Sequence, residues 1–248
     1  MFKMNKEQPG RPGGENRPEI VEESLRHKID ESHDFVVRIK TVIDVKKNEL
    51  VGSDLGVAIE NKEGGVVLDF KNLLGENAPG DQKNIVFVRG KEFSFTWTVD
   101  LDKPVIELPL EILRDPREIF GLLHEIGHLR VEQKGKVENI DALDGIYEML
   151  EGGKEGDLKD ADLQILLQNE RDAWAEALKI AKGIKKDRGL NLFSLFDNVY
   201  DLMGWLRASG LRDYEEMLEK RGIKAFTKTD KAALWENIPI KNFFGEED

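Results

Sequence analysis

Hydrophobic and polar residues alternate in the first half of the chain as they do in β-strands. In residues 93–99 every second residue is aromatic or aliphatic, a period of two that predicts a half-buried strand. Further strands are predicted at residues 36–45, 57–59, 66–68, 85–88 and 104–110. The Lys62-Glu63-Gly64-Gly65 segment predicts a hairpin turn, and Pro109 places the last strand at an edge or makes it irregular.

In the second half, hydrophobic residues recur at the spacing of α-helices. One helix is predicted to begin at Asp115, a good N-cap followed by Pro116, with Glu118 completing a capping box, and to end near Gly135. A longer helix is predicted over residues 160–182. The remaining predicted helices lie at residues 19–33, 192–206 and 213–221.

These patterns together predict an α+β fold in one domain. Residues 1–18, rich in proline, glycine and charge, are expected to form a flexible tail. Residues 19–114 should be mostly β and residues 115–248 mostly α. We expect a mainly antiparallel, twisted sheet of about five or six strands, packed against the helical half.

Composition narrows the classes of partner and location. Charged residues make up 35% of the chain and the formal net charge is −12, which argues against nucleic acid and anionic membranes as partners. There is no cysteine, so any zinc ligands must be His, Asp or Glu. No apolar run has the length of a membrane span and the N-terminus lacks a signal-peptide core, so the expected location is cytoplasmic. The oligomeric state is left open.

The first predicted helix carries the motif His124-Glu125-Ile126-Gly127-His128. Residues four apart share one helix face, so both imidazoles could reach one cation. Glu125 would lie beside that cation and could accept a proton from its water. Gly127 costs about 1 kcal/mol relative to Ala inside a helix, so we expect something to pack against the backbone there. The alternative is a surface helix with two hydrogen-bonded histidines, which the apolar neighbours disfavour.

A carboxylate interrupts the apolar stripe of the longer helix. The stripe consists of residues 163, 167, 170, 174, 177 and 181. Glu170, at its centre, would complete a set of three metal ligands, the number that catalytic zinc typically has. Asp172 and Glu176 compete for this role, but both are predicted on the solvent side of the helix. The alternative for Glu170 is an ion pair with Arg130 or Arg171.

Two segments resemble the gluzincin group of zinc metallopeptidases and, within it, the ImmA/IrrE-like enzymes. They are Leu123-His124-Glu125-Ile126-Gly127-His128-Leu129 and Asn169-Glu170-Arg171-Asp172-Ala173. Ala173 and Ala177 also match the second motif of that family, whereas Trp174 replaces a small polar residue and Glu176 an aromatic one. The resemblance covers only residues 104–181.

The resemblance implies a zinc-dependent peptidase acting on a protein or peptide substrate. His124, His128 and Glu170 would hold Zn²⁺, and Glu125 would be the general base. A tyrosine could stabilise the oxyanion, and the sequence does not choose between Tyr147, Tyr200 and Tyr214. The substrate could pair with the strand at 93–99 or the one at 104–110.

The other histidines and two tryptophans are expected to have no role in the metal site. Two other functions remain possible. His27 and His33 are expected to be solvated surface residues, and Trp205 and Trp235 to be core residues. The rivals are a zinc-binding regulatory or interaction protein without proteolytic activity, and a structural module without metal.

Overall fold

The computed structural model describes residues 19–44, 49–73, 85–89, 94–98, 103–108, 115–133, 140–150 and 159–209. The strands in these ranges are β1 (Glu19–Lys28), β2 (His33–Asp44), β3 (Glu49–Asn61), β4 (Val66–Asp69), β5 (Val86–Arg89), β6 (Ser94–Thr98) and β7 (Lys103–Leu108). The helices are α1 (Ile119–Gln133), α2 (Ile140–Leu150), α3 (Asp160–Arg188) and α4 (Val199–Ser209). The expected mixture of a β-rich N-terminal part and a helical C-terminal part is confirmed.

Several predictions fall outside the described residues. They are the tail at 1–18, the helix at 213–221, the helix end at Gly135, and the placements of Pro109, Tyr214 and Trp235. No helix in the part of the chain that the structure describes combines the length and the apolar character needed to cross a membrane.

The first sheet is antiparallel, with the strand order β1-β2-β3-β4. Its register pairs Phe35 with Ile59 and Val37 with Val57, and all four side chains are buried. The predicted hairpin joins β3 to β4, and its turn contains Gly64 at a φ of +80°, a conformation that favours glycine. The four paired residues form one core face of this sheet, and the neighbouring pair Val36 and Ala58 is buried on the other face.

The helix predicted over residues 19–33 is wrong. Glu19–Lys28 forms β1, which pairs with β2 from Glu19 opposite Ile43 to Lys28 opposite Asp34. Most side chains of β1 are exposed on both faces, so its sequence carries no hydrophobic alternation. Backbone pairing with β2 decides its conformation, which the charged sequence alone could not indicate.

The prediction of a mainly antiparallel sheet is confirmed for the first sheet, but the described strands form two sheets and not one of five or six strands. A second sheet has the order β5-β7-β6, in which β7 is parallel to β5 and antiparallel to β6. β7 is therefore a central strand and not the predicted edge. Pro104 lies opposite Trp97 of β6, before β7 begins to pair with β5 at Val105, a position where a missing N–H is tolerated.

The helix that carries the histidine motif begins as predicted, but its N-cap differs in detail. Pro116–Glu118 forms a 3-10 turn that continues into α1. The Asp115 carboxylate accepts a hydrogen bond from the N–H of Arg117 at 2.9 Å, two residues on, whereas a capping box uses the N–H three residues on. The N–H of Glu118 donates to the Asp115 carbonyl oxygen instead.

The longer helix is confirmed and extends past its predicted end. α3 runs to Arg188 and stops at Gly189, which adopts a left-handed φ of 70° that terminates helices. Its apolar stripe faces inward, and the buried residues of both sheets and of α1, α3 and α4 join in one hydrophobic cluster. This cluster holds α1 and α3 side by side.

Candidate metal centre

The backbones of α1 and α3 approach each other closely at Gly127. A Cβ placed on Gly127 would lie 2.2 Å from the carbonyl oxygen of Ala173, much closer than any such contact allows. The expectation that something packs against the backbone at Gly127 is confirmed. Because Gly127 has no Cβ, the two helix backbones can lie this close. This close packing brings His124 and His128 of α1 opposite Glu170 of α3.

The three predicted ligands meet at the contact between the helices. Nε2 of His124 lies 3.0 Å from Nε2 of His128 and 3.0 Å from Oε2 of Glu170, and Nε2 of His128 lies 3.4 Å from Oε1 of Glu170. Among the described residues this is the group of His, Asp and Glu side chains able to hold a metal ion. The group could bind a metal ion.

The spacing of the donor atoms fits a tetrahedral ion. Zinc binds His nitrogen and carboxylate oxygen at roughly 2.0–2.1 Å, which places neighbouring donor atoms of a tetrahedron about 3.3 Å apart. The two Nε2 atoms lie 3.0 Å apart, and Glu170 approaches each imidazole with a different oxygen, Oε2 at 3.0 Å from His124 and Oε1 at 3.4 Å from His128, so each separation is close to that value. With three protein donors, the fourth tetrahedral position is left for water or substrate.

Burial keeps His128 in the form that a metal ligand needs. It lowers the pKa of His128 to about 4, although the Glu170 carboxylate opposes this shift. The imidazole is therefore neutral near pH 7, with a lone pair for a cation. Glu170 itself is 1% exposed, as its central position in the apolar stripe predicted.

The two competing acids of α3 lie apart from this group, but only one is on the solvent side. Asp172 is partly exposed and accepts a hydrogen bond from Gln168 at 2.8 Å. The prediction that Glu176 faces solvent is wrong, because it is 3% exposed. Its carboxylate accepts a hydrogen bond from Lys179 at 2.9 Å and also interacts with Arg130 of α1. Several elements cover α3, so its buried surface is wider than one stripe.

The alternative ion-pair partners of Glu170 have other contacts. Arg130 donates to the carbonyl oxygen of Leu73 at 2.7 Å, and Arg171 lies 3.5 Å from the Asp172 carboxylate. Neither arginine has a recorded ion pair with Glu170, whose contacts described above are the two imidazoles. The geometry thus favours the ligand interpretation of Glu170 over the ion pair.

Asn169 and Tyr147 extend the site on the side of His128, and sequence reasoning missed the first of them. The amide nitrogen of Asn169 lies 3.4 Å from Nδ1 of His128 and 3.4 Å from the Tyr147 hydroxyl. With its amide turned by 180°, Asn169 would accept the Nδ1 proton and leave Nε2 of His128 for a cation. The available signal was the position of Asn169, four residues before the helix contact at Ala173.

The remaining residues singled out in the sequence differ in burial and in their contacts. Glu125 is buried on α1, next to His124 in sequence. Tyr200 is 74% exposed on α4, so Tyr147 is the candidate that the described residues place at the centre. His27 and His33 are half-buried, not fully solvated as predicted, and His33 pairs with Asp30 at 3.0 Å. Trp205 packs against the core, as predicted.

Comparison with known protein families, with curated proteins and with solved structures gives no match for this chain. The resemblance to gluzincins therefore rests on the two sequence motifs alone.

Proposed function

We propose that this protein is a zinc-dependent peptidase of the gluzincin type. The observation that carries the proposal is the convergence of His124, His128 and Glu170 at tetrahedral spacing. A buried glutamate, Glu125, lies next to the first of these ligands in sequence. Two neutral imidazoles, one carboxylate and an adjacent acid are the protein groups that metal-assisted hydrolysis uses.

His124, His128 and Glu170 would hold the ion, which would supply a Lewis acid for acidifying water and polarising a carbonyl group. Glu125 accepts one proton from the attacking water, whose oxygen forms the new bond to the peptide carbon. Glu125 then donates that proton to the leaving amine as the C–N bond breaks. Asn169, with its amide turned by 180°, would fix the His128 tautomer, and Tyr147, which lies beside Asn169, would stabilise the oxyanion.

An extended peptide would pair with the edge of the second sheet. Of the two strands that the sequence offered, β7 already has a partner on each side, so β6 is the one with an edge left open by the described strands. α1 contacts β6, which brings this edge near the helix with both histidines. Strand addition supplies backbone hydrogen bonds without requiring a particular substrate sequence.

The test uses Glu125→Gln and a matched control, Glu63→Gln, in the exposed β3–β4 turn. Each protein is loaded with zinc, freed of excess ion and incubated with a mixture of random-sequence peptides, and cleavage is followed by mass spectrometry. We expect Glu125→Gln to retain one zinc per chain and to lose cleavage by about a hundredfold or more, since a positioned base contributes that much. The control should match the wild type.

Two outcomes would contradict the proposal in different ways. Cleavage by Glu125→Gln at the wild-type rate would remove Glu125 as the base. Stoichiometric zinc in a wild type that cleaves none of the peptides would favour the rival, a zinc-binding regulatory or interaction protein. Absence of bound zinc after loading would favour a structural module.

A further inference from the structure

Trp174 lies against the ring of His124. The two ring centroids are 4.3 Å apart, with 25° between the ring planes, so the indole is stacked on the imidazole. Trp174 is 2% exposed and follows Glu170 by one helical turn of α3. It therefore belongs to the same inward face as the carboxylate ligand.

The indole also belongs to a group of packed aromatic rings. Trp205 meets Trp174 edge-on at 6.0 Å and 86°, and Phe120 meets Trp205 at 6.4 Å. The ring of His124 also meets the ring of His128 edge-on, with the centroids 4.5 Å apart and 74° between the planes. The imidazole of His124 thus contacts both the indole and the ring of the second candidate ligand, and these contacts restrict its ring plane.

We propose that Trp174 is a positioning residue for the metal ion, an inference that rests on the proposed zinc site. By stacking on His124, the indole fixes the plane of the imidazole and therefore the direction in which Nε2 points. Metal binding draws electron density out of the imidazole, and an electron-poor ring is attracted to the face of an indole. The stacking thus stabilises the metal-bound form of His124 more than the metal-free form.

A residue that only fills the core would behave differently. Removing it would lower the free energy of unfolding but would leave zinc affinity unchanged once the protein is folded. A positioning residue lowers zinc affinity in the folded protein as well. Trp205 offers a matched control, because it belongs to the same aromatic group and touches Trp174 but has no recorded contact with His124.

The experiment compares wild type, Trp174→Leu, Trp174→Phe and Trp205→Leu. The zinc dissociation constant is measured by competition with a chromogenic chelator, and the melting temperature of each metal-free protein is recorded. We expect Trp174→Leu to bind zinc about tenfold more weakly, within the range of ligand-orienting contacts. Trp174→Phe should keep zinc affinity within about threefold because a ring is retained. Trp205→Leu should also stay within that limit, despite a lower melting temperature.

A second measurement reads the stacking directly. Zinc titration should change tryptophan fluorescence in the wild type and in Trp205→Phe, and this change should be lost in Trp174→Phe. The fluorescence measurement on Trp174→Phe still tests the inference if Trp174→Leu does not fold. Unchanged zinc affinity in Trp174→Leu, or a zinc-dependent signal that survives in Trp174→Phe, would overturn the inference while leaving the zinc site intact. Failure of the wild type itself to bind zinc would overturn the proposed function instead.

Discussion

Glu60 in the first sheet and Glu170 in the helical part are the most deeply buried carboxylates among the described residues, at 0% and 1% exposed. Their partners differ in kind. Glu60 lies between two arginines, with Nη2 of Arg26 2.8 Å from one oxygen and Arg38 against the other. Glu170 faces the two imidazoles of the metal centre instead.

The difference shows two ways in which a protein can bury a carboxylate. A guanidinium is permanently charged and offers several N–H donors, so the arginines supply the counter-charge that Glu60 needs. His128 is neutral near pH 7 because burial lowers its pKa, so it supplies no counter-charge to Glu170. A cation bound by the carboxylate and both imidazoles would add a positive charge to this group.

The largest expected effect comes from neutralising each carboxylate in turn. Glu170→Gln should weaken zinc binding about a thousandfold, roughly 4 kcal/mol, because a charged ligand is lost. Glu60→Gln should leave zinc affinity unchanged and lower the free energy of unfolding by about 2 kcal/mol, since its half-exposed arginines lose a charged acceptor but stay hydrated. Chelator competition and urea unfolding measure the two quantities. Equal zinc affinities in the two variants would contradict the different roles assigned to Glu170 and Glu60.

The next effect tests whether the helix contact is what assembles the metal centre. Gly127→Ala should cost about 3 kcal/mol of unfolding free energy and weaken zinc binding, because its Cβ collides with the backbone of Ala173 and pushes α1 from α3. Gly183→Ala is the matched control, since a Cβ there meets no atom within 4 Å and should stabilise α3 by about 1 kcal/mol. Urea unfolding of both proteins measures the difference, and loss of similar size in both would contradict the close-packing argument.

The smallest expected effect is the pH dependence of stability that His128 contributes. Burial holds the pKa of His128 near 4, below its ordinary value of about 6.5, so the unfolded chain takes up a proton first as the pH falls. The contribution of His128 to the stability of the metal-free protein is fully present above pH 6.5 and should fall by about 2 kcal/mol by pH 5. His128→Gln should remove this contribution, whereas Glu60→Gln should keep it. Thermal unfolding at several pH values in the presence of a chelator measures this contribution. The same pH dependence of stability in the wild type and both variants would contradict the prediction.

Helical periodicity accounts for the part of the site that could be predicted from the sequence. Two histidines four residues apart share one face wherever a helix forms, and the interrupted stripe marked Glu170 as an inward-facing acid. Gly127 was predicted to mark a close approach because its helical cost needed a reason, and the structure identifies that reason as Ala173. Each of these inferences depends on residues within a few positions of one another.

Other features depended on neighbours that are distant in sequence. Glu176 is buried although its position on the helix predicted solvent, and its carboxylate interacts electrostatically with Arg130 of α1. β1 is a strand because β2 lies beside it, and β7 is central because β5 joins it in parallel. Local propensity carries no information about such partners.

The sequence by itself determined the ligand types, their spacing on α1 and the acid on α3, because side-chain chemistry and helix geometry are local properties. The tertiary structure alone decided that Asn169 approaches His128, that Trp174 stacks on His124 and that Glu60 lies between two arginines. These contacts arise where separate segments pack together, and packing is settled by the shape and burial of the whole core.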